Sequence, residues 1–339
     1  MKKKVSLAMI LILVITALSG CGGNETESEN GEVKDSLVVR ATIDFTNLDP
    51  HNHNTASGFM LDPQIFDPLV IMNDATMEIV PCLAENWEIS EDGTEYTFHL
   101  KEGVTFHNGS AFTASDVKFS FERVLNGTYL NNVINMVESV EVIDDYTVKM
   151  VLDAPFAAFL NQVQQIYIVD EDTINEQGEA CFKEPVGTGP YKFVEWDETE
   201  QSVSLEAYEE YHDTPASIRY LEFKVITDVN TAAIALESGD IDVAPKIDAN
   251  AYYSLKENEN IVIDSAPTSY MFYVIFNNDN GITSNKLFRQ AISCAIDREA
   301  IVMVNSDGLD QVTDGYVYDG VTGYSGGVSM YEYDVEKAK

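Results

Sequence analysis

The sequence predicts a mixed α/β globular protein, and three observations carry this prediction. Its 339 residues are about twice the usual length of a domain, so two globular units are expected. Hydrophobic residues make up 45% of the chain, which is enough for a substantial core. Strand-like runs with alternating hydrophobicity are interspersed with helical patterns, without an internal repeat. This order is typical of α/β and α+β folds.

The charge balance excludes several classes of function. The chain has 57 acidic and 20 basic residues, a formal net charge of -37. A nucleic-acid partner requires a basic surface, so this class is excluded. Electrostatic adhesion to anionic lipid is excluded for the same reason. Five His and four Cys are too few and too scattered for a zinc ribbon or a disulfide scaffold.

The first residues have the pattern of an export signal. Lys2, Lys3 and Lys4 precede an uncharged stretch from Val5 to Leu18. As a helix this stretch would span only about 21 Å, whereas a bilayer core requires roughly 30 Å. It is therefore interpreted as the apolar region of a signal peptide rather than a membrane span.

The residues that follow, Leu18-Ser19-Gly20-Cys21, resemble the lipobox of bacterial lipoproteins. The resemblance implies that residues 1–20 are removed and that Cys21 is lipidated. Residues 21–36 are then a flexible tether, because their small and polar composition cannot bury enough apolar surface to fold. We expect the protein on the outer face of the cell membrane, which is the periplasmic space if the host has an outer membrane. An ordinary signal peptide that happens to precede a Cys remains the alternative.

The first predicted elements beyond residue 36 are strands. A β-branched run begins at Leu37 and continues through Ala41 and Ile43 to Phe45. Two hairpins are predicted, one joining 87–89 to 96–100 and the other joining 140–143 to 146–151. Asp92-Gly93 and Asp144-Asp145 supply their turns.

Helices and one further extended segment follow. A helix begins near Thr113, which has a capping-box partner at Asp116, and ends at Asn126-Gly127. A second helix covers about 229–238, with Gly239 as its C-terminal cap, and a third covers about 286–296. The run 270–276 is predicted to be an extended crossing between the two units.

Six segments of the chain together resemble one family. They are Pro81 to Trp87; Asp92-Gly93 with Tyr96, Phe98 and Leu100; Phe106-His107-Asn108-Gly109 with Asp116-Val117; Gly187-Thr188-Gly189-Pro190-Tyr191; Gly239-Asp240-Ile241-Asp242; and Arg289-Gln290-Ala291 through Ala295-Ile296-Asp297-Arg298. In this order they resemble the extracellular solute-binding proteins of peptide and nickel ABC importers, family 5.

The resemblance implies a two-lobed periplasmic-binding-protein fold of type II that closes on its ligand. Lobe I would cover 37–267, with an inserted subdomain at about 45–183, and lobe II would begin at 268. The family's chains continue well past the segment that ends this one, so the sequence is interpreted as a C-terminally truncated fragment. The implied function is capture of a short peptide between the lobes and its delivery to ABC permease subunits, by a monomer, without catalysis and without a cofactor.

Ligand contacts are placed only by analogy with the family. We expect the loop after the first strand, the inserted subdomain and the 270–276 run to supply them, with core packing as the alternative for each residue. The candidate residues are Thr55, Ser57, Phe59, Met60, Tyr129, Gln165, Tyr270, Phe272 and Tyr273.

Several local features leave other interpretations open. His51 and His53 share a face if their segment is extended and are weak candidates for a metal site, against a plain polar loop. Gly187 to Pro190 lacks the Gly-Lys-Ser/Thr of a phosphate loop and is interpreted as a tight structural turn. A Cys82–Cys181 disulfide is an alternative to free thiols, and Cys294 is expected to be buried.

Three other functions are compatible with the sequence. A nickel-chelate or other small-solute receptor of the same family is the nearest one, with the two histidines as its only local support. A secreted hydrolase using two carboxylates would show turnover. A structural surface lipoprotein would bind no small molecule.

Overall fold

A computed structural model of the chain describes residues 34–339, except 74, 267, 269, 314, 316–323 and 325–330. The predicted signal peptide, Cys21 and most of the predicted tether lie outside the described residues. Within the described part, no helix is long and apolar enough to span a bilayer.

The described residues contain ten strands. In chain order they are β1 (Ser36–Ala41), β2 (Val70–Asn73), β3 (Glu78–Pro81), β4 (Ala84–Ile89), β5 (Glu95–Leu100), β6 (Val137–Asp144), β7 (Thr147–Leu152), β8 (Tyr191–Asp197), β9 (Ser202–Ala207) and β10 (Tyr220–Val225).

The same residues contain nine α-helices and two short 3₁₀ segments, Gly178–Lys183 and Ile282–Ser284. The helices are α1 (Ala56–Ile65), α2 (Ala114–Leu125), α3 (Phe159–Val163), α4 (Glu171–Gln177), α5 (Val229–Ser238), α6 (Ala249–Leu255), α7 (Lys286–Ala295), α8 (Arg298–Ser306) and α9 (Val335–Ala338).

The strands form two four-stranded sheets and one ribbon. The first sheet has the order β1-β10-β9-β8, in which β1 and β10 are parallel and the other pairs are antiparallel. The second sheet, β4-β5-β7-β6, is antiparallel throughout, and β2 pairs with β3. This combination is the mixed α/β architecture that the sequence predicts.

Each four-stranded sheet carries its own hydrophobic core. Helix α1 packs on β1 and β8 of the first sheet, around Leu61, Ile65 and Phe223. Helix α2 packs on β6 and β7 of the second sheet. Phe121 of α2 and Phe98 of β5 are fully buried in this core. The second core draws on residues between Leu69 and Ile168, within the bounds predicted for the inserted subdomain. The lobe boundaries themselves remain predictions.

The local elements agree with the sequence patterns. Both predicted hairpins form, as β4-β5 and β6-β7. Helix α2 begins with the predicted capping box between Thr113 and Asp116, and Gly239 ends α5 in the left-handed conformation at φ 80°. These features form as predicted because short-range hydrogen bonds decide them.

The first strand is shorter than predicted. It ends at Ala41 instead of continuing to Phe45. The reason lies at Ile43, whose N–H and C=O both bond to the hydroxyl of Ser57, at 3.2 and 2.5 Å, rather than to a neighbouring strand. The chain therefore leaves the sheet as a loop held against α1.

The 270–276 run, which is predicted to be an extended crossing, belongs to no described sheet, and the crossing itself remains a prediction. The segment has no regular secondary structure, and no described strand pairs with it. A β-branched and aromatic composition favours a strand only when a neighbour supplies hydrogen bonds and packing.

The three cysteines that the structure describes are free thiols. Cys82, Cys181 and Cys294 are all buried, and none is bridged. The disulfide alternative for Cys82 and Cys181 is therefore not adopted, and the buried position of Cys294 is as expected.

The Gly187 to Pro190 segment packs tightly on the end of α1. A Cβ atom on Gly187 would lie 2.0 Å from the carbonyl oxygen of Ile65, and one on Gly189 would lie 2.8 Å from it. Gly189 donates its N–H to that same carbonyl at 2.9 Å. The segment is structural, as predicted, and its glycines allow two backbones to touch.

The His107 ring fixes the same segment through both nitrogens. Gly187 donates its N–H to Nδ1 at 3.3 Å, and Nε2 lies 2.9 Å from the carbonyl oxygen of Gly189. Because Nδ1 accepts, the ring is neutral with its proton on Nε2. Burial lowers the pKa of His107 to about 4, from the ordinary value of 6.5.

This arrangement predicts a loss of stability in acid. A histidine whose pKa is lower in the folded state stabilises the fold above pH 6.5, and the contribution is lost as the pH falls towards 4. Burial lowers the pKa of His51 to about 4 as well, so it acts in the same direction. We expect the midpoint of urea unfolding to fall over this pH range, and to fall less in His107→Gln. The partly exposed His99→Gln is the control. An unchanged pH profile in His107→Gln would contradict the assignment.

Candidate ligand-binding site

The candidate site lies at one edge of the first sheet. Strands β1 and β10 are parallel and in register, with Ala41 opposite Val225, so both end at the same edge. The β8–β9 turn reaches this edge too, since Asp197 pairs with Ser202. In open α/β sheets, ligands bind in the crevice outside the carboxyl ends of parallel strands.

A pocket of about 550 Å³ opens at this edge. Its volume falls within the usual range for small-molecule sites, roughly 300–1,000 Å³. The loop after β1, the 3₁₀ segment 178–183, the end of β8 and the β8–β9 turn supply most of its walls. The lining residues are Asp44, Phe45, Thr46, Asn47, Glu179, Ala180, Phe182, Lys183, Trp196, Glu198, Gln201 and Val225.

The pocket combines charges of both signs with aromatic surface. Asp44, Glu179 and Glu198 are acidic, whereas Lys183 is the basic residue in the lining. Trp196 contributes a partly exposed indole beside them. Such a lining can pair with an ammonium and a carboxylate of one ligand while an aromatic ring contacts its apolar part.

Glu179 is held in place by an ion-pair network. Arg123 of α2 binds both carboxylate oxygens of Asp49, at 2.9 and 2.6 Å, and its Nη2 is 2.6 Å from Glu179. The Asp49 carboxylate is almost fully buried. Burial acts to lower the pKa of Arg123, but the hydrogen bonds and charges of Asp49 and Glu179 outweigh it and raise that pKa. The network therefore joins α2 to the wall of the pocket.

Arg40 fixes the backbone at the same sheet edge. Its side chain is buried, with 2% exposed, and it donates to four carbonyl oxygens. They belong to Ile226 (2.7 Å), Thr227, Pro245 and Lys246 (3.2 Å each). Burial lowers the pKa of Arg40, and the nearby charge of Asp228 opposes this effect. One guanidinium thus joins the segment after β10 to the segment at 245–246.

Two predicted contact residues support the loop after β1 from behind. Ser57 is fully buried, and its hydroxyl accepts from the N–H of Ile43 and donates to the carbonyl oxygen of the same residue. Thr55 caps α1, since its Oγ1 accepts from the N–H of Gly58 at 3.1 Å. These side chains would affect a ligand only indirectly, by fixing the position of the loop.

The other predicted contacts on helices and in the inserted region are dispersed. Phe59 is 51% exposed and meets the His53 ring edge-on at 5.6 Å between centroids. Met60 packs against the first core. Tyr129 is exposed, and Gln165 donates to the carbonyl oxygen of Asn161 and to the side chain of Gln162.

The aromatic residues of the 270–276 run face outwards. Tyr270, Phe272 and Tyr273 are 78%, 87% and 57% exposed. The rings of Tyr270 and Phe272 meet at 5.4 Å, so these two lie on one side, as alternation predicts. None of the nine predicted contact residues is in the pocket lining. Their role in ligand binding remains a prediction.

The two histidines lie in a loop, and both are buried there with polar partners. His51 Nε2 lies 2.8 Å from the carbonyl oxygen of Tyr167, and His53 Nε2 lies 3.1 Å from Asp62. The His53 ring also occupies the space beside Gly58, where a Cβ atom would lie 2.2 Å away. Among the described residues, neither histidine belongs to a group of three side chains that could share a metal ion.

Sequence reasoning missed most of the pocket. Asp44 follows the first strand, and its position at a strand end was a usable signal. Trp196, Glu198 and Lys183 carry no such signal, because only the pairing of β8 with β9 and the adjacent 3₁₀ segment bring them to this edge.

Comparison with known proteins identifies the family. The family model described as bacterial extracellular solute-binding proteins, family 5 middle, matches residues 78–339. The chain belongs to this family. The predicted resemblance is thereby confirmed, and so is the mixed α/β fold of two-lobed binding proteins. Members are solute-binding proteins rather than enzymes, which agrees with the prediction of no catalysis.

Individual relatives differ in their solutes. The glutathione-binding protein GsiB of Pectobacterium atrosepticum is 29% identical over 90% of this chain and 60% of its own length. NikZ of Campylobacter jejuni, solved with Ni(L-His), has a TM-score of 0.80 and is 28% identical over 90% of this chain and 62% of its own. DppA of Helicobacter pylori, solved with the peptide STSA, has a TM-score of 0.79 and is 29% identical over 89% of this chain and 64% of its own. The chain thus spans about 60% of the length of the curated relatives it matches.

Proposed function

We propose that the protein is the receptor of an ABC importer and that it captures short peptides for transfer to membrane permease subunits. The observation that carries the proposal is the pocket at the carboxyl edge of β1 and β10, in a chain of the solute-binding family. The acidic residues suit a peptide's ammonium group, Lys183 suits its carboxylate, and Trp196 suits an apolar side chain. The pocket binds its solute without altering it.

The placement of the histidines favours peptides over nickel chelates. NikZ is solved with Ni(L-His), so family membership is compatible with either solute. In this chain, however, His51 and His53 use their Nε2 atoms on Tyr167 and Asp62. The nickel interpretation therefore loses the only local support that the sequence offered.

The membrane attachment belongs to the same proposal. Cys21 would carry the lipid, and the tether predicted over residues 21–36 would end where β1 begins, since the structure places Ser36 in that strand. The receptor would work as a monomer beside its permease. A singly acylated protein is held only marginally, whereas two or more chains anchor it stably. In cells expressing the whole chain, Cys21→Ala should move the protein from the membrane fraction to the soluble fraction; unchanged partition would contradict lipidation at this residue.

Thermal-shift measurements with di- to hexapeptides test the proposed function. A ligand that binds only the folded state, supplied at about 100 times its Kd, stabilises the fold by about 2.7 kcal/mol. We expect at least one peptide class to raise the melting temperature in this way. In the double variant Asp44→Asn/Glu198→Gln the shift should fall, whereas Glu257→Gln, outside the pocket, should retain it. A flat response across all the peptides would count against peptide capture.

A further inference from the structure

A buried group of metal-ligating side chains lies away from the pocket. Asp67 precedes β2, Cys82 connects β3 to β4, and His212 lies in the loop between β9 and β10. The Cys82 Sγ atom is 3.6 Å from Oδ1 of Asp67, and the His212 Nε2 atom is 2.9 Å from its Oδ2. One donor atom from each residue lies within 4.8 Å of the other two. All three side chains are nearly inaccessible to solvent.

We propose that Asp67, Cys82 and His212 form a binding site for Zn²⁺. Thiolate, imidazole and carboxylate are the three ligand types that zinc takes in proteins, at about 2.3, 2.0–2.1 and 2.0–2.2 Å. Tetrahedral bonds of those lengths place the donor atoms roughly 3.3–3.7 Å apart. The present spacing brackets these values, so side-chain shifts of about 1 Å bring the three donor atoms to one ion, and a water molecule would take the fourth position. Ca²⁺ and Mg²⁺ are excluded, because both prefer oxygen ligands.

The surrounding hydrogen bonds prepare the carboxylate for this role. Thr188 Oγ1 donates to Oδ2 of Asp67 at 3.1 Å, and the Tyr211 hydroxyl donates to Oδ1 at 3.2 Å. Metal-ligating carboxylates are characteristically oriented by such outer partners. Cys82 and His212 also hydrogen-bond to Asp67, and zinc binding replaces these two hydrogen bonds. The Cys82 thiol gives its proton to solvent as the S–Zn bond forms, and the His212 proton moves from Nε2 to Nδ1.

Lys101 controls whether the site can be filled. Its Nζ atom lies 3.3 Å from Nδ1 of His212, so the ammonium donates there and keeps the ring proton on Nε2, where zinc would bind. Its positive charge also repels a cation nearby. Lys101 is only half-buried, and it must turn towards solvent for zinc to enter. Removal of this ammonium should therefore strengthen metal binding.

Cobalt substitution tests the site without interference from the acidic surface. Carboxylates on the surface bind Co²⁺ without a sulfur-to-cobalt charge-transfer band, so that band reports a thiolate ligand alone. The whole chain is used with Cys21→Ala, which leaves Cys82, Cys181 and Cys294 as its thiols. We expect one Co²⁺ per chain with this band, and displacement of the cobalt by Zn²⁺.

Matched variants locate the site. Cys82→Ser should abolish the band, whereas Cys181→Ser, which alters another buried thiol, should retain it. Lys101→Met should raise the apparent affinity, because it removes the positive charge that repels the metal ion. If Cys82→Ser does not fold, His212→Gln provides the comparison. Absence of the band from both the parent and Lys101→Met, or its survival in folded Cys82→Ser, overturns the proposal.

Discussion

The Arg40→Met variant is expected to lose about 4 kcal/mol of unfolding free energy, because a buried charge that bonds several partners leaves them unsatisfied when it is removed. Methionine keeps most of the side-chain length and leaves the carbonyls of Ile226, Thr227, Pro245 and Lys246 without their donor. Urea unfolding followed by circular dichroism measures the loss.

The control for this prediction is Arg219→Met. Arg219 is exposed and pairs with Glu206 on the surface, at 3.0 Å, so its removal should change stability little. Equal unfolding free energies for the two variants would show that the buried guanidinium does not hold the sheet edge. A loss confined to Arg40→Met would also predict weaker peptide binding, since the same residue fixes the backbone beside the pocket.

The Gly187→Ala variant is expected to be destabilised by about 3 kcal/mol or more, because the added carbon has no space and the contacting atom is backbone. The new Cβ would lie 2.0 Å from the Ile65 carbonyl oxygen, so either α1 or the Gly187 segment must move. The movement would also disrupt the bonds of His107 to Gly187 and Gly189.

Gly127→Ala is the matched control. Its Cβ would lie 3.2 Å from the nearest backbone oxygen, a tight contact that a small shift relieves. We expect it to cost about 1 kcal/mol or less. A melting temperature of Gly187→Ala close to that of Gly127→Ala would contradict the tight packing of the two backbones.

Local features of this protein could be predicted from the sequence because neighbouring residues determine them. The capping box of α2 and the left-handed Gly239 depend on hydrogen bonds within a few residues. The 270–276 run shows the limit of this reasoning. Its residues favour a strand, but a strand also needs a partner, and no described strand pairs with it.

The candidate sites needed the tertiary structure for a related reason. Ser57 is predicted to contact a ligand, and only the structure shows that its buried hydroxyl also bonds to Ile43 in the loop after β1. Burial likewise turns His51 and His53 from candidate metal ligands into core residues with backbone and carboxylate partners. Residue type and spacing do not reveal which face of a segment the rest of the chain covers.

By itself, the sequence determined the mixed α/β class, the hairpins and capped helices, and membership of the solute-binding family, because these depend on short-range patterns. Only the tertiary structure decided which distant residues Arg40 and Asp67 contact. Arg40 bonds to carbonyls 186 to 206 residues away, and Asp67 meets His212 across 145 residues. Such contacts form only when β1 pairs with β10 and the loops pack, which brings residues far apart in sequence together. No local sequence pattern specifies them.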